Sequence, residues 1–117
     1  MPNPFVHIEI RTRDMAKSKA FYQKVFDWQV REEQGYGLID AGSPPGGGFF
    51  QAAPEVPLGV AVYVGVDSVD TAEQKVEAAG GRVVVRKTEV PGMGWFATFL
   101  DPEGNEMSVW QPVEGSG

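Results

Sequence analysis

The sequence predicts an α+β protein assembled from two tandem βαβββ units, and three observations predict it. Residues 5–11 (FVHIEIR) alternate strictly between two faces, the period of a half-buried strand. Residues 15–26 carry apolar side chains at three- and four-residue spacing, the period of a helix packed along one side. The same strand–helix order returns at an offset of 54 residues, which carries Asp14 onto Ser68 and Val6, Ile8 and Ile10 onto Val60, Val62 and Val64. Repetition at a fixed interval marks a duplicated structural unit.

The elements follow in order. On the opening strand Val6, Ile8 and Ile10 share one face, expected to pack under the helix, and Phe5, His7, Glu9 and Arg11 share the other, expected to be covered or to line a cleft. Asp14 is an N-cap for a helix over 15–26. A strand is expected at 28–32, a hairpin turn where Gly35 and Gly37 bracket Tyr36, and a short strand at 38–41. Residues 43–47 (SPPGG) have loop chemistry, so Gly46-Gly47-Gly48 reads as a loop entering a fourth strand at 48–52. With no following helix and no lysine, that glycine run is not a phosphate loop. Two prolines make 53–57 a linker. The second copy has a strand at 59–66, a Ser68-capped helix over 69–79 ended by Gly80-Gly81, and strands at 82–86, 95–100 and 106–111. Residues 88–94 form a loop, DPEGN (101–105) a turn, and the tail after Pro112 is expected to be loose. The whole chain, 1–117, is thus expected to form one domain with units at about 4–52 and 58–112.

The 117 residues include no cysteine, which removes disulfides, thiolate metal sites and a cysteine nucleophile. A formal net charge of −6 repels phosphate backbones, so nucleic acid is not an expected partner. No apolar run approaches the roughly 20 residues of a membrane span, and the Met-Pro-Asn-Pro start lacks the charge and hydropathy of a signal peptide. A cytoplasmic protein is expected.

Three segments carry a family resemblance. The first is His7 on the opening strand with Asp14-Met15, Ala20-Phe21-Tyr22 and Val25-Phe26 after it; the second is Val66-Asp67-Ser68-Val69-Asp70 running to Ala78-Ala79-Gly80-Gly81. The third is Phe99-Leu100-Asp101-Pro102-Glu103-Gly104-Asn105-Glu106. In this order the chain resembles the vicinal oxygen chelate superfamily, which includes glyoxalase I, extradiol dioxygenases, methylmalonyl-CoA epimerase and the bleomycin- and fosfomycin-resistance proteins. The resemblance implies a cupped mixed sheet with helices on its outer face and a divalent metal on the concave side, held by ligands from the first and fourth strand of each unit. Carried over position by position, the first ligand is His7 and the second falls near Gln51. The third falls on Ala61, or on Val60 with a one-residue slip. The fourth, normally glutamate, is Ser108, seven positions after Asp101.

Those residues do not make the family's usual ligand set. The chain has a single histidine, and alanine binds no metal. No cofactor is therefore expected; were a divalent ion bound, His7, Gln51 and Glu9 would be its ligands, with Glu106 within reach of the Ser108 position. His7 reads equally as a structural strand histidine or as half of an acid–base pair with Glu9, whose carboxylate would favour the protonated imidazole. Tyr63, Trp95, Trp110 and Phe49 could line an aromatic cleft or pack in a core. Trp110 shares a strand face with Ser108 and Glu106 and is the preferred stacking residue.

Two functions stay open on this evidence. One is a metal-free small-molecule binder that sequesters a drug or metabolite through Tyr63, Trp110, Ser108, Gln51 and Glu106, its ligand cationic or aromatic. The other is a lyase, isomerase or dioxygenase-type enzyme that uses a degraded metal site or the pair His7 and Glu9. A homodimer is expected in either case, because two units leave strand edges and apolar surface exposed.

Overall fold

The computed structural model describes residues 2–113; the expected loose tail lies almost wholly outside them, at 114–117. The elements are β1 (Phe5–Thr12), α1 (Met15–Phe26), β2 (Gln29–Glu33), β3 (Tyr36–Asp40) and β4 (Gly46–Gln51), followed by β5 (Val60–Gly65), α2 (Val69–Ala78), β6 (Arg82–Val90), β7 (Gly94–Leu100) and β8 (Glu106–Pro112). The βαβββ order occurs twice, as the repeat predicts. Contacts divide the chain into two compact units, Val6–Val62 and the stretch from Tyr63 onward together with the N-terminal residues through Phe5.

In the first unit the strands lie in the order β2-β3-β4-β1. β1 runs parallel to β4, and the other neighbours are antiparallel. Helix α1 starts where Asp14, in extended backbone, accepts a hydrogen bond from the Lys17 amide at 3.1 Å. It stops where Asp27 turns left-handed (φ 60°) and its N–H bonds back to the Gln23 carbonyl, a conformation that aspartate tolerates better than most residues. Phe49, Tyr22 and Trp28 form the packing between helix and sheet, with Tyr22 stacked on Trp28 at 5.4 Å and tilted against Phe49 at 5.4 Å, while exposed Phe26 edges against Trp28.

Three expectations need correction here. The hairpin turn is at Gln34-Gly35 (φ 51° and 80°), the type I′ geometry that suits two antiparallel strands. Tyr36 and Gly37 are already strand, with Tyr36 paired to Glu33. Likewise Gly46-Gly47-Gly48 is strand throughout, paired to His7, Ile8 and Glu9. A ladder needs only backbone donors and acceptors, and between two flanking strands glycine supplies them. Finally, α1 packs over β4 and β2. Ile10 lies on the helix side, in register with buried Phe49, while Ile8 retains 37% exposure. The alternation therefore assigns the sides of β1 without placing its aliphatic row under the helix.

In the second unit the order is β6-β7-β8-β5, with β5 parallel to β8. Ser68 caps α2 by accepting from the Thr71 amide at 3.1 Å. Gly80 (φ 98°) ends the helix, and the Gly81 amide returns to the Val76 carbonyl. Val69, Ala97 and Val109 form a core extended by Val64, Val66, Ala72, Trp95 and Phe99. β6 runs four residues beyond the expected Arg86, because Thr88–Val90 pair with β7 once two register shifts absorb the irregularity. Among the described residues no helix is long and apolar enough to cross a membrane.

Candidate functional site

Strand register decides which side chains meet. On β1, His7, Glu9 and Arg11 oppose Gly46, Gly48 and Phe50 of β4, and Phe50 and Gly48 in turn oppose Tyr36 and Leu38 of β3. These residues share the sheet face turned away from α1. His7 and Glu9 thus stand on one side of a strand position without a side chain, and Tyr36 reaches into it from the other. A Cβ at position 48 would collide with the Tyr36 hydroxyl and ring edge. Glycine there is what lets the phenol lie across β4.

The Tyr36 hydroxyl ends between the two β1 side chains. It donates to Glu9 Oε1 at 3.0 Å and lies 2.7 Å from His7 Nε2. A phenol has one proton. With that proton given to Glu9, the second contact is made by Nε2–H of His7 donating to Tyr36 Oη, which assigns the imidazole its Nε2–H tautomer. The rings of His7 and Tyr36 are nearly parallel, with centroids 6.1 Å apart. Burial pushes the His7 imidazole below its ordinary value because it penalises the charged form. This corrects the expected effect of Glu9: the carboxylate reaches the imidazole through a hydroxyl, and desolvation is the cause that prevails. The array His7–Tyr36–Glu9 is a hydrogen-bonded relay that can hold a proton at either end.

The second unit carries a separate polar and aromatic face. By register Tyr63 opposes Ser108, Phe96 opposes Trp110, and Thr98 opposes Ser108, all on the side away from α2. Ser108 is 1% exposed, and its hydroxyl shares a 2.8 Å hydrogen bond with Thr98. Tyr63 and Phe96 meet edge to face at 6.5 Å. Trp110 lies over Gly94, where an added Cβ would come within 2.8 Å of its ring. Glu106 opposes Leu100 at the start of β8, on the same face.

Several expected site residues are placed elsewhere. Gln51 follows Phe49 by two residues and so faces the α1 side; its amide donates to the Arg13 carbonyl at 2.7 Å. The register shows why. Glu9 opposes Gly48 as its repeat mate Tyr63 opposes Ser108, so Gly48, not Gln51, holds the place of Ser108 in the first unit. Phe49 and Trp95 pack toward the helices and line no cleft. Ala61 is buried. Tyr36 is the member of this cluster that sequence reasoning passes over, and its signal is the strand glycine opposite Glu9.

A family metal does not fit this donor set. His7 and Glu9 are both engaged by one hydroxyl, Ser108 is tied to Thr98, and Gly48 and Ala61 offer no ligand atom. Among the described residues no three imidazole or carboxylate groups gather as a metal site.

Comparison with known proteins places this architecture. Residues 7–110 match the model of the glyoxalase-like domain. The chain is 34% identical over 100 residues to CFP32 of Mycobacterium tuberculosis, named as a candidate glyoxylase; the match takes in 80% of this chain and 38% of CFP32. A shorter stretch of 50 residues is 40% identical to the anthracycline biosynthesis protein DnrV of Streptomyces peucetius, 43% of this chain and 18% of DnrV. Among solved structures, the Mn(II)-bound glyoxalase of Novosphingobium aromaticivorans superimposes with a TM-score of 0.63 at 25% identity, over 96% of this chain and 39% of that one. The chain spans well under half the length of these relatives. By its doubled βαβββ order and the extent of the domain match, it belongs to the glyoxalase-like family.

Proposed function

We propose that the protein is a metal-independent small-molecule-binding member of this family, one that takes up a planar drug or metabolite. The observation that carries the reading is the commitment of His7 and Glu9 to the Tyr36 hydroxyl, at 2.7 and 3.0 Å, which leaves the family's metal without a converging donor set. The aromatic face of the second unit, with Tyr63, Phe96 and Trp110, supports a flat ligand. Glu106 on that face and the net charge of −6 favour a cationic portion. A name that associates DnrV with anthracycline biosynthesis is in keeping with a polycyclic aromatic ligand. The test is Trp fluorescence titration with a panel of planar cationic and neutral aromatics, with and without chelator. Saturable binding that chelator leaves unchanged supports the proposal; binding that appears only with an added divalent ion overturns it.

The relay favours a second reading, an enzyme in which His7 and Glu9 exchange protons with substrate. Tyr36 passes the proton: as Nδ1 of His7 takes a proton from substrate, Nε2–H moves to Oη and the phenolic proton moves to Glu9, so that imidazole and phenol are both neutral before and after. Its test is solvent exchange. Incorporation of deuterium into a bound ligand, abolished by His7→Ala and by Tyr36→Phe, favours the enzyme. Stable binding without exchange favours the binder.

A further inference from the structure

We infer that the aromatic face of the second unit recognises its planar ligand by a ring carbonyl, through the hydroxyl pair Thr98–Ser108; this rests on the aromatic-binder reading above and adds what the ligand must carry. Ser108 on β8 and Thr98 on β7 sit directly opposite each other. They are 1% and 8% exposed, and their oxygens are 2.8 Å apart. Two hydroxyls hold two protons, and the one hydrogen bond between them uses one. Among the described residues neither oxygen has a second partner, so whichever hydroxyl accepts keeps its own O–H to give. A donor this deeply placed is costly to leave unspent, and an acceptor laid on the face removes that cost. The neighbouring side chains define the acceptor. Tyr63 of β5 stands in the same row, opposite Ser108. In the next row, two residues along the strands, Phe96 opposes Trp110. Two strand residues advance about 7 Å, so a ring stacked on the Trp110–Phe96 row brings the hydroxyl pair under the next fused ring. A single ring meets only the aromatic row, whereas a fused planar system with an acceptor on its second ring meets both. The donor is uncharged and the chain carries a net charge of −6, so a neutral carbonyl suits it better than a carboxylate.

The probes are 2-(aminomethyl)anthraquinone and 2-(aminomethyl)anthracene, alike in ring plan and charge and different in the ring carbonyls. Calorimetric titration, with chelator present throughout, gives both dissociation constants for wild type, Ser108→Ala, Thr98→Val and the double variant Ser108→Ala/Thr98→Val. Wild type should bind the quinone about tenfold more tightly than the hydrocarbon, the worth of one good hydrogen bond. The double variant should lose that preference. Each single variant releases the surviving hydroxyl from its partner and leaves it one proton to give, so part of the preference should remain. Reading the ratio of the two probes cancels any general change in the face that a variant brings. Infrared spectra of the quinone bound to wild type give a second readout, in which the carbonyl stretch should fall below its frequency in an apolar solvent. An unshifted stretch overturns the inference, and this readout decides the matter if the double variant fails to fold by circular dichroism. Equal binding of the two probes by wild type, or a preference that survives in the double variant, overturns the role of the hydroxyl pair and leaves the aromatic binder standing. Saturable binding of neither probe overturns both.

Discussion

Replacing Gly48 with alanine tests whether the Tyr36 relay is held by the strand geometry described above. The added methyl meets the Tyr36 hydroxyl, Cε2 and Cζ, so the phenol must leave. Two hydrogen bonds go with it, those to His7 and Glu9. At about 1 kcal/mol for the bond to the imidazole and about 1.5 kcal/mol for the bond to a charged carboxylate, the loss comes to about 2–3 kcal/mol. Against it stands the lower backbone entropy of alanine in the unfolded chain, roughly 0.5 kcal/mol in favour of folding. Gly48 has no left-handed backbone to strain, so the net destabilisation, about 1.5–2.5 kcal/mol, comes from the displaced side chain. Urea unfolding of four proteins measures this: wild type, Gly48→Ala, Tyr36→Ala and the double variant. If the clash is the cause, Gly48→Ala costs nothing in the Tyr36→Ala background and is slightly stabilising there, giving a coupling of about 2–3 kcal/mol. The same cost in both backgrounds would refute the reasoning, since the glycine would then matter for some reason unconnected with Tyr36.

Three more predictions concern His7, Trp110 and assembly. By imidazole NMR His7 should titrate below its ordinary 6.5, because burial disfavours the cation. Its contribution to stability is then fully present above that value and lost as pH falls through the depressed one, so Glu9→Gln and His7→Gln unfolding curves taken at pH 7 and pH 5 should separate the histidine from the carboxylate. Trp110→Ala should weaken a discovered aromatic ligand roughly thirty-fold, about 2 kcal/mol for a buried stacking residue, and leave circular dichroism unchanged. The chain should sediment as a homodimer, since Phe21, Val25 and Phe26 of α1 are exposed at 58%, 51% and 56%; a monomer at high micromolar concentration contradicts this.

How much of this was legible in the sequence depended on the range of the forces involved. Caps are local, and Asp14 and Ser68 mark both helix starts correctly because their side chains need only an amide three residues away. Alternation along a strand is local too, and it assigns His7 and Glu9 to the face away from α1. Pairing across strands is not local. Whether Gly48 or Gln51 opposes the β1 site depends on where β4 begins, and a two-residue later start took the reading away from Gly48. Gly35-Tyr36-Gly37 looks like a turn to any short-range rule, yet the left-handed pair is Gln34-Gly35, and Tyr36 is carried into β3. Charge reasoning from Glu9 alone pointed to a protonated imidazole because burial and the intervening hydroxyl are both tertiary facts.

The proposed function requires that this member of the glyoxalase-like family work without a bound metal. Elemental analysis of protein purified without chelator, followed by ligand titration before and after exhaustive chelation, tests it most directly. Well under one equivalent of manganese, nickel, zinc or iron and an unchanged dissociation constant are expected. One equivalent of any of these, lost in His7→Ala and required for binding, would contradict it.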